Sequence, residues 1–278
     1  MLRRQGFEPW RAYQLNGIDL AKWTVQDKFT DELEVSPGLA VVPAVGGVGE
    51  VVTSTNDAIS ERQVSIPLAP GAGDIQGFER LLDELRQLVY AHNLVLRRVR
   101  ANPAGRGEHV TEASVVLKSL VANETGYLGR AARFTLTLVL PGVWFRDLKP
   151  TAQWVRPGEK RPLTRLSHGT APIRDAIVLL PGPVAKTEVR DCQSGSGFIW
   201  QGTCVEGESL RVKPGDAKAH IVDGAGRVKR DVSGGLYGVP EGWLRLCGNK
   251  TGIIGVDIKV EGGTSETQVC FEARRCWQ

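Results

Sequence analysis

The sequence predicts a mainly β protein that contains one clear α-helix. Three observations support this fold class: short segments that alternate apolar and polar residues, one amphipathic stripe with helical period, and turn-forming residues between segments. Glycine and proline account for 33 and 15 of the 278 residues, and 41% of the residues are hydrophobic. This composition fits a folded chain of one to two domains and excludes a disordered, fibrous or coiled-coil protein.

The N-terminal half begins with a hairpin signal. Tyr13–Ile18 is a short apolar segment that runs into an Asn-Gly pair, the residues favoured in two-residue hairpin turns. Pro37–Asn56 is rich in Gly, Val and Pro without a clean period, which predicts a long irregular loop or extended arm. Glu61–Leu68 alternates, with Arg62 and the apolar residues on one side, and is predicted to be a strand.

A helix is predicted near residues 75–92. From Ile75 onward the apolar residues follow steps of three and one, which place them on a single stripe. Asp74 stands at the N-cap position, where its carboxylate can accept hydrogen bonds from the first free amides. Asn93 follows as a residue that can end the helix. An amphipathic helix of this length needs a sheet or another element to cover its apolar side.

Further strands follow the helix, at residues 94–99, 113–121 and 133–140. The strand Arg133–Leu140 alternates most cleanly, with threonine on the face opposite the leucines, so one face is expected to contact solvent or another subunit. The basic run Arg97, Arg98 and Arg100 is interleaved with valine, which favours a solvated strand face over a nucleic-acid-binding stripe. The net charge of +4 is also mild.

The C-terminal half consists of many short segments separated by glycine-rich turns. Strands are predicted at residues 173–180, 198–202, 209–212, 217–222, 243–246, 253–260 and 267–274. Short strands at this spacing are typical of a β-sandwich or jelly roll. The predicted core of this half is Trp200, Leu210, Val212, Trp243, Leu246, Ile254, Val256, Ile258, Val269 and Phe271.

No motif in the chain predicts catalysis or cofactor binding. Gly71–Gly77 matches a dinucleotide-binding fingerprint only loosely and is interpreted as a strand-to-helix turn. The four histidines are isolated, and Ser194–Gly197 is predicted to be a flexible hairpin tip rather than a nucleophile elbow. The five cysteines all follow residue 191 without metal-ligand spacing, which favours buried apolar roles. We therefore expect no enzyme activity, no catalytic, cofactor-binding or metal-binding residues, and no cofactor.

Exposed aromatic residues of a β-sandwich can stack on sugar rings. The candidates are Trp154, Trp200, Tyr237 and Trp243. Trp200 and Trp243 lie within alternating segments, so core packing is the favoured interpretation for both. Tyr237 lies on a predicted loop and is the better candidate for a sugar contact.

The N-terminus carries positive charge without a following apolar segment, and no stretch reaches the length of a membrane helix. We therefore expect synthesis in the cytoplasm of the producing cell and no membrane insertion.

The C-terminal half resembles the galectin-like domain of siphophage distal tail proteins, particularly those of phages that infect actinobacteria. The resemblance rests on a series of landmarks in order: Trp144–Asp147, His168–Ile173, Leu180–Pro183, Phe198–Thr203, Glu208–Val212, Trp243–Leu246 and Phe271–Trp277. They cover about 135 residues. The N-terminal half is similar in layout to the split β-barrel with one helix that such proteins share with tail-tube proteins. Gly46–Gly49 approximates the Gly-rich motif of their long arm.

The resemblance implies two domains, a tail-tube-like split β-barrel at residues 1–143 and a galectin-like jelly-roll sandwich at 144–278. It also implies a structural virion protein of the phage tail tip. Six copies would form a ring that joins the tail tube to the tail tip or baseplate, with DNA passing through its channel. Expected partners are other copies of the chain, the tail-tube protein, and tape-measure and baseplate proteins.

Unpaired strand edges of an open barrel can pair with neighbouring copies, and a closed ring satisfies every edge. Arg133–Leu140 and Pro37–Asn56 are the candidate contact segments. The alternative function is a carbohydrate-binding module that attaches to host-surface glycans.

Overall fold

The structure is a computed structural model that describes residues 12–23, 34–37, 40–43, 50–54, 59–101, 108–125, 132–142 and 144–277. The chain divides into two compact units, Met1–Phe145 and Arg146–Gln278. Antiparallel sheets dominate the described residues, which contain one α-helix and no closed barrel. The predicted fold class, mainly β with one helix, is confirmed.

The first unit contains one large antiparallel sheet and a separate two-stranded pair. The sheet order is β2-β1-β7-β8-β9-β6-β3, and β4 pairs with β5. The elements are β1 (Ala12–Leu15), β2 (Ile18–Asp19), β3 (Glu34–Pro37), β4 (Ala40–Pro43), β5 (Glu50–Ser54), β6 (Ile59–Leu68), α1 (Ile75–Val89), β7 (Leu94–Ala101), β8 (Glu108–Thr125) and β9 (Ala132–Val139). The short β10 (Phe145–Asp147) contains the last residue of this unit and the first two of the next.

The predicted N-terminal hairpin is confirmed. Asn16 and Gly17 have φ values of 50° and 81°, the left-handed conformation that a two-residue hairpin turn requires. Asn16 also exchanges hydrogen bonds with Val95, because its Oδ1 accepts from the Val95 amide at 2.8 Å and its amide donates to the Val95 carbonyl at 2.9 Å. These bonds anchor the turn to the start of β7.

The helix begins as predicted and ends earlier than predicted. Asp74 caps it, because its Oδ1 accepts a hydrogen bond from the Gly77 amide at 2.6 Å. The last helical residue is Val89, so the predicted end at 92 was wrong by three residues. Asn93 has a left-handed φ of 56°, which turns the chain into β7. The buried residues of the stripe are Phe78, Leu85, Leu88 and Val89.

The structure corrects the interpretation of the basic run at one of its residues. Arg98 is fully buried, so the prediction of a solvated strand face was wrong at this residue. It shares the alternate positions of β7 with Leu94 and Leu96, which are also buried. The Arg98 guanidinium lies 3.7 Å from the ring centroid of Phe145, and the buried Arg62 lies 5.4 Å from the same ring. The aromatic ring thus contributes a cation–π contact to both cations.

The structure also corrects the predictions for the two segments expected to contact neighbouring copies. Strand β9 pairs with β8 on one side and β6 on the other, so the backbone of Arg133–Leu140 has no free edge for a neighbouring copy. Within Pro37–Asn56, β4 and β5 form an antiparallel pair, so an irregular loop was wrong for this part. The glycine-rich stretch at residues 46–49 lies outside the described residues.

The second unit contains a six-stranded and a five-stranded antiparallel sheet. Their orders are β11-β21-β13-β16-β17-β18 and β12-β20-β14-β15-β19. The strands are β11 (Thr151–Val155), β12 (Gly158–Pro162), β13 (Ile177–Pro181), β14 (Val184–Asp191), β15 (Gly197–Cys204), β16 (Ser209–Lys213), β17 (Lys218–Val222), β18 (Val228–Asp231), β19 (Leu236–Gly238), β20 (Gly255–Glu261), β21 (Val269–Ala273) and β22 (Cys276–Trp277). Alternate residues of both sheets are buried, as the two inner faces of a sandwich require.

The predicted core of this unit is buried with one exception. Trp243 is 38% exposed, so its placement in the core was wrong. The segment Trp243–Leu246 is not a strand but makes an isolated bridge between Leu246 and Ile173. Leu244 and Leu246 are its buried residues, which puts Trp243 on the opposite side by simple alternation.

The hairpin between β14 and β15 is tied down rather than flexible. The buried Asp191 accepts hydrogen bonds from the amide and hydroxyl of Ser194 at 2.7 and 2.8 Å. Its other carboxylate oxygen accepts from the Cys247 amide at 3.0 Å. The buried Ser196 hydroxyl accepts a hydrogen bond from the Arg245 amide at 3.0 Å. The predicted hairpin is thus confirmed, whereas its flexibility was wrong.

Candidate functional site

The four aromatic candidates do not form one surface. Trp200 is fully buried, and its indole N–H donates to the Val232 carbonyl at 3.2 Å. Trp154, Tyr237 and Trp243 are exposed. Trp154 belongs to the six-stranded sheet, whereas Tyr237 lies on β19 of the five-stranded sheet, so its predicted loop position was wrong. Trp243 packs over Gly238, where an added Cβ would lie 3.3 Å from the indole ring.

A row of side chains crosses the outer face of the six-stranded sheet. Residues directly opposite each other on paired strands share a face, and the registers connect one residue from each strand. The row consists of Trp154, Cys270, Leu179, Arg211, His220 and Asp231. The residues before and after Leu179, Arg211 and His220 are buried, which fixes the row on the outward face. With strands about 4.8 Å apart, the six positions span about 24 Å.

Three cations at or beside this row lack a carboxylate within ion-pair distance among the described residues, although the charge of Lys218 lowers the pKa of Asp231. No carboxylate of the described residues lies within 4 Å of Arg211, Lys213 or Lys218. Lys213 and Lys218 lie directly opposite each other on β16 and β17. Like charges at directly opposite positions destabilise a sheet, so this pair contributes unfavourably to the folded state.

The row ends at an acidic residue. Asp231 Oδ2 lies 3.9 Å from His220 Nε2. Hydrogen bonds from the side chain and backbone of Ser233 lower the pKa of Asp231, and the nearby charges of His220 and Lys218 add to this effect. Asp231 therefore remains a carboxylate at neutral pH.

An open cleft of about 420 Å³ adjoins the same sheet. It is lined by Arg174, Asp175, Ala176, Ile177, Lys213, Gly215 and Asp216. Lys213 thus belongs both to the cationic group beside the row and to the cleft. Asp175 forms an ion pair with Arg146, which leaves the cleft with cationic and anionic walls.

The outer face of the five-stranded sheet differs in its charge pairing. On β14 and β20, Lys186 lies 3.0 Å from Glu261, and Lys259 lies 3.9 Å from Glu188. Arg190 also contacts Glu188, at 2.6 Å. Every lysine and arginine of these two strands has a carboxylate within 4 Å, so the two outer faces of the unit present different chemistry.

In the first unit, nine uncharged residues lie side by side on one face of three neighbouring strands, bordered by the exposed Arg133 on β9 and by the exposed Lys118 at a bulge of β8. The registers place three residues of β6, three of β9 and three of β8 side by side: Gln63, Ser65, Pro67, Val139, Thr137, Thr135, Val116, Ser119 and Val121. Val116 and Val121 are 56% and 51% exposed. We call this set the uncharged face. Depletion of charge is the compositional mark of the centre of a protein–protein interface.

Asp147, in the segment Trp144–Asp147, is hydrogen-bonded to residues near the end of the chain, which the sequence did not predict. The Asp147 carboxylate accepts a hydrogen bond from Arg275 Nε at 2.6 Å and another from the Trp277 indole N–H at 2.7 Å. Asp147 is 9% exposed and Trp277 is 5% exposed. The first residues of the second unit are thereby bound to its last strand.

The remaining titratable groups form no metal-ligating group within the described part of the chain. None of the five cysteines forms a disulfide, and Cys204, Cys270 and Cys276 are buried as predicted, whereas Cys192 is exposed. Burial raises the pKa of Cys276 to about 12. Burial and the neighbouring Asp257 raise the pKa of Cys192 to about 11. These thiols are protonated at neutral pH, the opposite of an activated nucleophile.

Comparison with known structures gives a match that supports the fold. No protein-family model and no curated protein sequence matches the chain. The crystal structure of SPP1 Dit, described as a paradigm of hub adsorption apparatus in phages that infect Gram-positive bacteria, aligns with a TM-score of 0.60. The alignment covers 95% of this chain and 98% of that chain at 11% sequence identity. The chain has the fold of a phage Dit protein.

Two further matches come from the phage P2 baseplate in its activated conformation. The structure with calcium aligns at 10% identity and the structure with strontium at 9%, each over 94% of this chain and 97% of that chain. Their TM-scores are both 0.35, so they add no argument about the fold. No helix within the described residues has the length and apolar character that crossing a membrane requires.

Proposed function

We propose that the chain is a structural virion protein, a distal tail protein that assembles into a ring between the tail tube and the tail tip or baseplate. The observation that carries this proposal is the alignment with SPP1 Dit over nearly the whole length of both chains. The landmarks of the C-terminal half and the layout of the N-terminal half point to the same family. The finer assignments, a tail-tube-like domain at 1–143, a galectin-like domain at 144–278 and an actinobacteriophage subtype, are part of the proposal.

Ring assembly is consistent with the open edges of the first sheet. Its path ends at β2, which has two residues, and at β3. Short edge strands limit uncontrolled pairing, and pairing around a closed ring leaves no edge for fibre growth. The uncharged face offers a second contact surface, because its hydroxyl and small apolar side chains can be buried at a low desolvation cost.

The remaining parts of the proposal follow from this role. Expected partners are other copies of the chain, six in each ring, together with the tail-tube protein and the tape-measure and baseplate proteins. DNA contacts the ring only in transit, and the protein is synthesised in the host cytoplasm before incorporation into the virion. The proposal assigns no enzymatic activity.

Light scattering after size-exclusion chromatography tests the ring. The full chain at micromolar concentration should elute with about six times its 30.2 kDa mass, because the proposed ring contains the six copies that the resemblance implies. A monomer at every salt concentration would contradict the proposal.

A second candidate function is attachment to host-surface glycans through the second unit. The observation that favours it is the row on the six-stranded sheet, in which an exposed indole and several polar side chains share one face. Binding sites for sugars combine an aromatic platform with polar groups that fix orientation. Both roles are compatible, because the ring proposal uses the first unit and the attachment proposal uses the second.

A further inference from the structure

We infer that the outer face of the six-stranded sheet binds an anionic saccharide, a sugar chain that carries carboxylate or phosphate groups. This inference rests on the attachment role and not on the ring. It assigns the stacking position to Trp154 and the recognition of negative charge to Arg211, Lys213 and Lys218. We call these four residues the saccharide row.

The first argument is the unfavourable arrangement of the cations. Lys213 and Lys218 are directly opposite each other, and neither has a carboxylate within 4 Å among the described residues. Such a pair repels in the free protein. A bound anion removes this repulsion, so part of the binding energy comes from relief of an existing penalty.

The second argument is the contrast with the other sheet of the same unit. Cations on β14 and β20 are paired with carboxylates, whereas those on β16 and β17 are not. Arg211, two residues before Lys213 on the same strand, adds a planar donor that matches carboxylate and phosphate geometry. The charge arrangement therefore favours an anionic ligand over a neutral one.

The third argument is the aromatic end of the row. Trp154 is 47% exposed and lies directly opposite Cys270, whose thiol is buried. The indole thus has one side against the sheet and presents apolar area to solvent, as a platform for the apolar face of a sugar ring. Trp154 and Arg211 are three strands apart, about 14 Å, so a single small anion cannot contact both. A chain of several sugar rings can.

Asp231 limits the site at its other end. This carboxylate repels the negative groups of the ligand beyond His220 and leaves the centre of the row as the anionic position. The cleft beside Lys213 gives a charged substituent room next to the lysine pair. Across the sheet the site thus runs from the indole through Arg211 and His220 to Asp231, with the lysine pair two residues to one side of Arg211 and His220.

Isothermal titration of the full chain tests the inference with four probes. They are hexagalacturonate, a neutral glucose hexasaccharide, inorganic polyphosphate and a short DNA duplex. We expect hexagalacturonate to bind most tightly and its affinity to fall with added salt, because solvent-exposed ion pairs are screened. Equal or tighter binding of polyphosphate or DNA would show a charge-only surface and overturn the inference, as would no binding of hexagalacturonate.

Matched variants locate the site. The double variant Lys213→Gln/Lys218→Gln should weaken hexagalacturonate binding by about tenfold or more, since it removes two charge-assisted contacts. The control Lys186→Gln/Lys259→Gln removes the same charge from the other sheet and should leave the affinity within about twofold. An equal loss in both variants would contradict the assignment of the site.

Two single variants separate the contributions of charge and stacking. Lys218→Glu should raise the thermal midpoint, because it replaces a repulsive pair with an attractive one, and should also abolish binding. Trp154→Ala should weaken binding, whereas Tyr237→Ala should not, and circular dichroism reports whether each variant is folded. Binding lost in Tyr237→Ala but kept in Trp154→Ala would refute the row. Light scattering of the same samples reports the ring independently.

Discussion

Replacing Asp147 tests how much the hydrogen bonds between the first and last residues of the second unit stabilise it. In the Asp147→Ala variant, Arg275 loses its partner at 2.6 Å and the Trp277 indole N–H loses its acceptor at 2.7 Å. The arginine side chain is 33% exposed, so water compensates most of its loss and leaves a cost of about 1 kcal/mol. The buried indole N–H without an acceptor costs about 1–3 kcal/mol more. We expect a decrease of about 2–4 kcal/mol in the free energy of unfolding.

Asp147→Asn is the matched control, because its one amide oxygen still accepts from the indole N–H, whereas its amide nitrogen no longer accepts from Arg275 Nε. It should cost about 1 kcal/mol. Urea denaturation followed by tryptophan fluorescence measures both variants. Combining Asp147→Ala with Trp277→Phe completes a double-mutant cycle, in which the two changes should couple by about 1–2 kcal/mol. Additive effects, or equal costs for the Ala and Asn variants, would refute the assigned hydrogen bonds.

Three further predictions concern the thiol, the helix and the ring. Burial raises the pKa of Cys276 to about 12, against 9.0 in the unfolded chain. The stability that the protonated thiol contributes is therefore fully present below pH 9 and is lost as the pH rises from 9 to 12. In the wild type the free energy of unfolding, measured by urea denaturation, should thus fall with pH in that window, and Cys276→Ala should make this fall shallower by about 1.4 kcal/mol per pH unit. The same pH dependence in both proteins would contradict this account. Asp74→Ala should destabilise the first unit by about 1 kcal/mol, measured by thermal denaturation, and no change would exclude the cap. Val116→Lys/Val121→Lys should dissociate the ring in light scattering, whereas Gln87→Lys on the exposed side of α1 should not.

The sequence predicted those elements whose structure is determined by residues close together in the chain. The stripe and the N-cap predicted α1, because a helix is specified by side chains three and four positions apart. Asn16-Gly17 predicted the first hairpin, because few residue pairs adopt its φ values. Burial of Leu94 and Leu96 on β7 also follows from alternation, and the same rule applied to Arg98 would have placed it inside.

Other features depend on contacts that the sequence does not display. Strand β14 was not predicted, because two of its buried positions carry the polar residues Thr187 and Asp191, which interrupt the alternation of apolar and polar residues. Strand β12 carries mostly exposed polar residues, because it lies at the edge of its sheet. The saccharide row takes its four residues from β11, β16 and β17, which are far apart in the chain, so only the strand registers bring them to one face.

The most direct test of the central claim is negative-stain imaging of the purified full chain at micromolar concentration. The account predicts closed rings with an open centre, because the open sheet of the first unit completes its edges with neighbouring copies. A uniform field of single chains, or of open filaments, would contradict it.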